Sequence, residues 1–196
     1  MRKAIQLALV LTLMLILVTV HATAQVSVTD IFPDVEDAIA TSYLTNANGE
    51  MIGAVLITQI EEREDILGVW ATVWLGLEPG FHAFHIHSVG TCDMATESPF
   101  TSAGGHFNPA GTDHGTHAGD LPSLYALADG SAGNVFMTDA FTIEDLLDED
   151  GSAFMIHAGR DNYGNIPERF GGPDEATLAA GDAGPRVACG VIEPTG

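Results

Sequence analysis

Six histidines and one aspartate stand where side-chain type and spacing could bind metal. In the stretch FHAFHIH, residues 81–87, three of the chain's eight histidines fall within seven positions. On a strand, side chains two apart share a face, so His85 and His87 project together while Ile86 points the other way. That pair is a two-toothed metal clamp on a stiff support; taken alone, it could equally be two surface histidines on an amphipathic strand. His106, His114 and His117 follow in a polar stretch, with Asp120 three residues after the last of them, and His157 lies further on. Neutral imidazoles suit copper and zinc, and an aspartate beside three imidazoles suits zinc better than copper(I). This set serves two metals only if one ligand is shared. His106 is the candidate, because an imidazole that loses both ring protons can bind a metal through each nitrogen.

Short strands must position these residues. Residues 51–60 (MIGAVLITQI) and 66–77 (ILGVWATVWLGL) are rich in Val, Ile and Trp and flank a charged, turn-like EERED. The EPG turn leads into 81–87 as a third strand, and further strand-like runs cover 124–130, 133–143, 152–158 and 186–192. Two long polar stretches interrupt them, 88–120 and 159–185, and a polar run of that length inside a domain is commonly functional. Residues 143–150 (IEDLLDED) read as a helical turn or an acidic loop. Many short strands, two long loops and no long helical pattern predict an all-β sandwich or barrel.

The N-terminus reads as a separate segment. Met1, Arg2 and Lys3 make a positive start, residues 4–20 are almost wholly apolar, and ATA at 22–24 supplies small residues for cleavage. Residues 1–24 are therefore expected to be a secretory signal peptide, with an uncleaved membrane anchor as the alternative. Residues 25–45 read as an N-terminal lead and 46–196 as the domain. Removal of 1–24 would take away one arginine and one lysine but no acid, leaving four arginines against 27 acidic residues, a formal charge of −23. Such a surface repels nucleic acid and anionic membranes, and it favours solubility in high salt. No stable membrane association is expected once the signal is gone. The only cysteines are Cys92 and Cys189, and export makes a disulfide between them the expected state, with free thiols the alternative.

The segments GFHAFHIH, SAGGHFNP, HAGDLP, IHAGRDNY and GDAGPRVACGVI, in this order between Gly53 and Ile192, resemble the copper/zinc superoxide dismutase family, in its exported bacterial form. The resemblance implies a Greek-key β-sandwich or flattened barrel with two long functional loops. It implies copper ligands at His85, His87, His106 and His157, and zinc ligands at His106, His114, His117 and Asp120. Asp161 would be the carboxylate linking a copper-bound to a zinc-bound imidazole, His82 a buried structural histidine, and Arg186 the residue that positions an anion beside copper. A Cys92–Cys189 bridge would tie the base of the first loop to the strand carrying Arg186. The implied activity is conversion of superoxide to dioxygen and hydrogen peroxide, in which copper carries the electron, zinc organises the site and His106 carries a proton. An exported copper/zinc-binding module without efficient turnover is the alternative. A periplasmic, cell-envelope or extracellular location and a possible homodimer belong to the same expectation.

The chain also departs from the family pattern. The stretch DMATESPF after Cys92 lengthens the first loop, and only Gly115 and Thr116 separate His114 from His117, which makes His114 the least secure ligand. The segment NIPERFGGPDEATLAAG replaces a loop that carries lysines in some relatives. With no lysine there to attract an anion, Arg160 or Arg169 is expected to supplement Arg186.

Overall fold

A computed structural model describes residues 35–94 and 97–196. The expected signal segment, 1–24, and residues 25–34 of the lead lie outside the described residues. Among the described residues ten strands run in chain order: β1 (Ala40–Asn46), β2 (Met51–Ile60), β3 (Arg63–Val73), β4 (Gly80–His82), β5 (Phe84–His87), β6 (Leu124–Ala126), β7 (Ala132–Thr138), β8 (Ala153–His157), β9 (Arg186–Val191) and β10 (Glu193–Pro194). Eight of them form one curled sheet in the order β5-β8-β9-β1-β2-β3-β7, with β10 alongside β1. The remaining two, β4 and β6, form a second small sheet. The fold is all-β, as the strand pattern predicts.

Alternation accounts for the sheet. In β2 Val55 and Ile57 are buried while Ala54 before them and Leu56 between them are only partly buried, and the antiparallel register sets Val55 opposite Ala71 and Ile57 opposite Val69. These side chains meet Leu44, Phe84, Ile86, Phe154 and Ile156 in one core. Phe84 and Phe154 stack with ring centroids 5.3 Å apart. Burying each ring contributes about 1.5–3 kcal/mol. Because Phe84 and Ile86 point into this core, the intervening His85 and the following His87 must face the other side of the sheet.

Three sequence expectations change in the structure. Residues 40–45, assigned to the lead, belong to β1, which lies between β2 and β9 in the sheet. The single strand expected over 81–87 divides at Ala83 into β4 and β5, which belong to different sheets. Ala83 makes the change of sheet by donating to Gly159 O and accepting from His157 N–H. Third, the polar run 159–185 contains a helix, α2 (Glu175–Ala180), capped by the Asp174 carboxylate, which accepts from Thr177 N–H. The acidic piece after β7 forms a one-turn helix, α1 (Ile143–Leu146), held by a capping box in which Thr142 and Asp145 bond reciprocally. Among the described residues no helix is long and apolar enough to cross a membrane.

Candidate metal centre

β5 is an end strand of the large sheet, so its outer edge carries backbone groups that need partners. The first polar loop supplies them. Phe107 N–H donates to Ile86 O, Ile86 N–H to Gly119 O and Ser88 N–H to Gly105 O. The pairing sets His106 opposite His87 and Asp120 opposite His85. Residues far apart in sequence are thereby fixed side by side. His157 arrives from β8 at a register shift between Ile156 and His157, and such an irregularity turns a side chain out of the regular alternation. At its base the loop is anchored by a second small core of Phe100, Ala103, Ala153, Met155 and Cys189, with Cys92 packed against it.

Four imidazoles converge with one nitrogen each left over. His85 Nδ1, His87 Nε2, His106 Nε2 and His157 Nε2 are buried and have no hydrogen-bond partner in the protein. The other nitrogen of each ring is engaged. His85 Nε2 donates to Asp161 at 2.7 Å, His87 Nδ1 to Gly104 O at 2.9 Å and His157 Nδ1 to Gly184 O at 3.0 Å. A ring that donates from one nitrogen presents a lone pair on the other. Burial, reinforced by the Arg186 charge, lowers His87 from the ordinary 6.5 to about 2, and burial lowers His157 to about 4. These rings are neutral at pH 7 and offer lone pairs to a common point. An orphaned buried nitrogen is costly on its own, and four aimed together fit a metal that prefers imidazole, such as copper.

His106 belongs to a second cluster as well. Its Nδ1 lies 2.9 Å from Asp120 Oδ1, which is also 3.1 Å from His114 Nδ1 and 3.2 Å from His117 Nδ1. The His106 and His117 Nδ1 atoms are 3.3 Å apart. A tetrahedral ion with bonds of about 2.0–2.1 Å needs donor atoms roughly 3.3 Å apart, so the spacing fits zinc. Asp120 Oδ2 is occupied by Gly115 N–H and His117 N–H, which leaves Oδ1 to face the imidazoles. Burial would raise the Asp120 carboxyl, but bonds from His106 and His114 outweigh it and hold the group well below the usual carboxylate range. Asp161 links the two clusters: Oδ2 accepts from His85 Nε2, and Oδ1 accepts from His114 Nε2 at 2.7 Å. Burial pushes His114 down, yet its bonds to Asp120 and Asp161 prevail and raise it to about 9. All seven sequence-chosen ligands and Asp161 are brought together, including His114 despite its short turn.

Residues 51–192 match the family model described as copper/zinc superoxide dismutase. The chain belongs to the copper/zinc superoxide dismutase family. It is 51% identical over 130 residues to a Cu-Zn superoxide dismutase of Mycolicibacterium paratuberculosis, covering 59% of this chain and 57% of that protein. The match thus spans little more than half the length of the mycobacterial relative. Against the Haemophilus parainfluenzae Cu-Zn superoxide dismutase the identity is 38%, over 82% of this chain and 83% of the other. Among solved structures, the Brucella abortus Cu/Zn superoxide dismutase aligns with TM-score 0.59 and 29% identity, over 79% of this chain and 99% of that one. A SOD-like protein from Bacillus subtilis aligns with TM-score 0.61 and 32% identity, over 77% and 96%. Membership implies copper and zinc as cofactors, and the two donor sets fit them.

The other predicted residues of this superoxide dismutase family member are also in view. Arg186 sits opposite His157 across the β8–β9 ladder. Its guanidinium is half-buried and donates to Phe100 O at 2.5 Å and Gly104 O at 2.6 Å. Gly104 O is also the acceptor for His87, so one carbonyl orients a metal-facing imidazole and the nearest guanidinium together. Cys92 and Cys189 form a disulfide. His82 is buried, with each ring nitrogen 2.7 Å from a carbonyl oxygen, of His157 and of Glu78, so neither is spare for a metal. Arg160 and Arg169 are exposed, and Arg169 lies 4.7 Å from the centre of the Phe170 ring. The sequence reading missed the carbonyls of Phe100, Gly104 and Gly184. Every residue carries a carbonyl, so no side-chain signal marks them.

Proposed function

We propose that this chain disproportionates superoxide, turning two superoxide anions and two protons into dioxygen and hydrogen peroxide. The observation that carries the reading is the pair of donor sets joined through His106: four buried, unpartnered imidazole nitrogens on one side, three imidazoles and one carboxylate oxygen on the other. His85, His87, His106 and His157 would hold copper, and His106, His114, His117 and Asp120 would hold zinc. Copper bound there supplies one-electron oxidation and reduction, and zinc a fixed positive charge.

The chain's own residues supply geometry and protons. Arg186 spends two N–H groups on Phe100 O and Gly104 O, and its fork has three more with which to orient a small anion. His106 is the proton carrier: Nδ1 is directed at the Asp120 side, and Nε2 takes up a proton and gives it to the reduced substrate. Asp161 holds His85 and His114 in the tautomers that leave their Nδ1 atoms free. The disulfide and the charged N-terminal start followed by an apolar run support export to an oxidising compartment, periplasmic, envelope or extracellular.

The test is superoxide disproportionation by the purified chain with copper and zinc content measured on the same sample, beside Arg186→Ala. The expected result is one copper and one zinc per chain, activity, and a loss of about 10- to 100-fold in the variant, the worth of one charge-assisted hydrogen bond. Full occupancy without activity would make the chain a metal-binding module.

A further inference from the structure

Only Gly115 and Thr116 separate His114 from His117, and Asp120 Oδ2 holds this short turn from within by accepting from Gly115 N–H and His117 N–H. The second loop holds its His114 end from outside. His114 N–H donates to Leu178 O at 2.9 Å, and His114 Nε2 to Asp161 Oδ1. The approach is so close that a Cβ at Gly115 would collide with the Tyr163 carbonyl, and one at Gly181 with His114 Nε2 and Asp161 Oδ1. Residues 161–181 thus add a second brace at the His114 end of the turn.

Tyr163 occupies the junction. Its backbone is left-handed, φ 53°, which is uncommon for a bulky residue and persists only where the surroundings fix it. Its N–H donates to Asp161 Oδ1 at 2.7 Å, the same oxygen that receives His114. Its hydroxyl accepts from Ser123 N–H at 3.0 Å and lies 2.8 Å from Ser123 Oγ, three residues beyond Asp120. One residue therefore spans, through its backbone N–H and its hydroxyl, from the carboxylate that orients His114 to the backbone that carries Asp120. We propose that Tyr163 is a positioning residue for the zinc-side cluster, a staple that fixes His114 relative to Asp120 and slows release of the ion. The inference rests on the reading of His106, His114, His117 and Asp120 as a zinc set.

Tyr163→Phe tests it, because Tyr163 is partly exposed and the substitution keeps the ring and the N–H to Asp161. The full metal-loaded chain and the variant are compared for zinc transfer to a chromophoric chelator, for the visible spectrum of Co²⁺ in the zinc set, for copper retention and for thermal midpoint without metal. Groups that hydrogen-bond metal ligands directly are worth about 10- to 100-fold in metal affinity; one layer further out, about 3- to 10-fold is expected. Zinc should leave about 3- to 10-fold faster and the Co²⁺ bands should shift, with copper retention and the metal-free midpoint unchanged. Ser123→Ala should accelerate zinc release in the native background and add nothing to Tyr163→Phe. Zinc release within two-fold of the native chain, additive effects of the two substitutions, or equal loss of both metals with a lowered metal-free midpoint would overturn the staple. A native chain that takes up no zinc would overturn the zinc set itself, and the staple with it.

Discussion

Removing the metals and then acidifying should unfold this protein by way of its copper-facing histidines. His87 and His157 are almost fully buried, and burial lowers them to about 2 and about 4 from an ordinary 6.5. Between 6.5 and these folded values the unfolded chain binds a proton at each position and the folded chain does not. Stability contributed by the neutral rings is therefore complete above pH 6.5 and is lost as pH falls toward the folded values. A full pH unit is worth about 1.4 kcal/mol per group, but the unfolded ring is only half protonated at pH 6.5, so going from there to pH 5 costs about 1.6 kcal/mol at each histidine and about 3 together. That is a large part of a typical domain stability of about 5–15 kcal/mol. His114 has the opposite sign. Its value is raised to about 9, so its contribution is fully present below 6.5 and is lost only as pH rises toward 9. The Asp120 and Asp161 contributions are lost only below the ordinary carboxylate range, outside the window. Urea unfolding of the chelator-stripped chain at pH 6.5 and pH 5 measures the difference, and His157→Gln should remove about half of it. A change below about 1 kcal/mol, or one that His157→Gln leaves intact, would refute the reasoning.

Two further consequences follow from the same contacts. In Asp161→Asn the amide keeps one acceptor and places a donor where a second imidazole N–H now donates, so one of His85 and His114 must give up its tautomer; zinc and copper affinities should fall by about 10- to 100-fold in chelator competition, with the fold retained by circular dichroism. Replacing both Cys92 and Cys189 by Ser opens a bridge between residues 97 apart and should cost about 2–5 kcal/mol in urea unfolding; an equal midpoint would mean that the small core of Phe100, Met155 and Ala153 holds the loop base unaided.

How far the fold could be read from the sequence depended on what filled the inward positions. Residues 51–60 are rich in Ile, Leu and Val, and β2 has those bounds. β1 alternates as well, but two of its buried positions are Ala40 and Ser42, which carry no hydropathy signal. Ser42 must be small because β9 approaches it closely at Gly190, where a Cβ would collide with its hydroxyl. The run 81–87 kept its apolar rhythm through Ala83, so nothing local marked the passage from one sheet to the other; the bonds that make it come from Gly159 and His157, some 75 residues away.

For the metal centre, the amino-acid sequence by itself determined which side chains are present: six imidazoles and a carboxylate suited to two metals, a second carboxylate at Asp161, a guanidinium at Arg186 and two cysteines. Side-chain chemistry is written in residue type, and motif order placed the chain in its family. Tertiary structure decided which nitrogen of each ring is free. That choice belongs to the carbonyls of Gly104 and Gly184 and to the two oxygens of Asp161, which come from loops distant in sequence. It decided also that His114, held by a two-residue turn, is braced from 161–181. A hydrogen bond is set by distance and direction in space, and a backbone carbonyl is the same in every residue, so neither leaves a mark in the order of the letters.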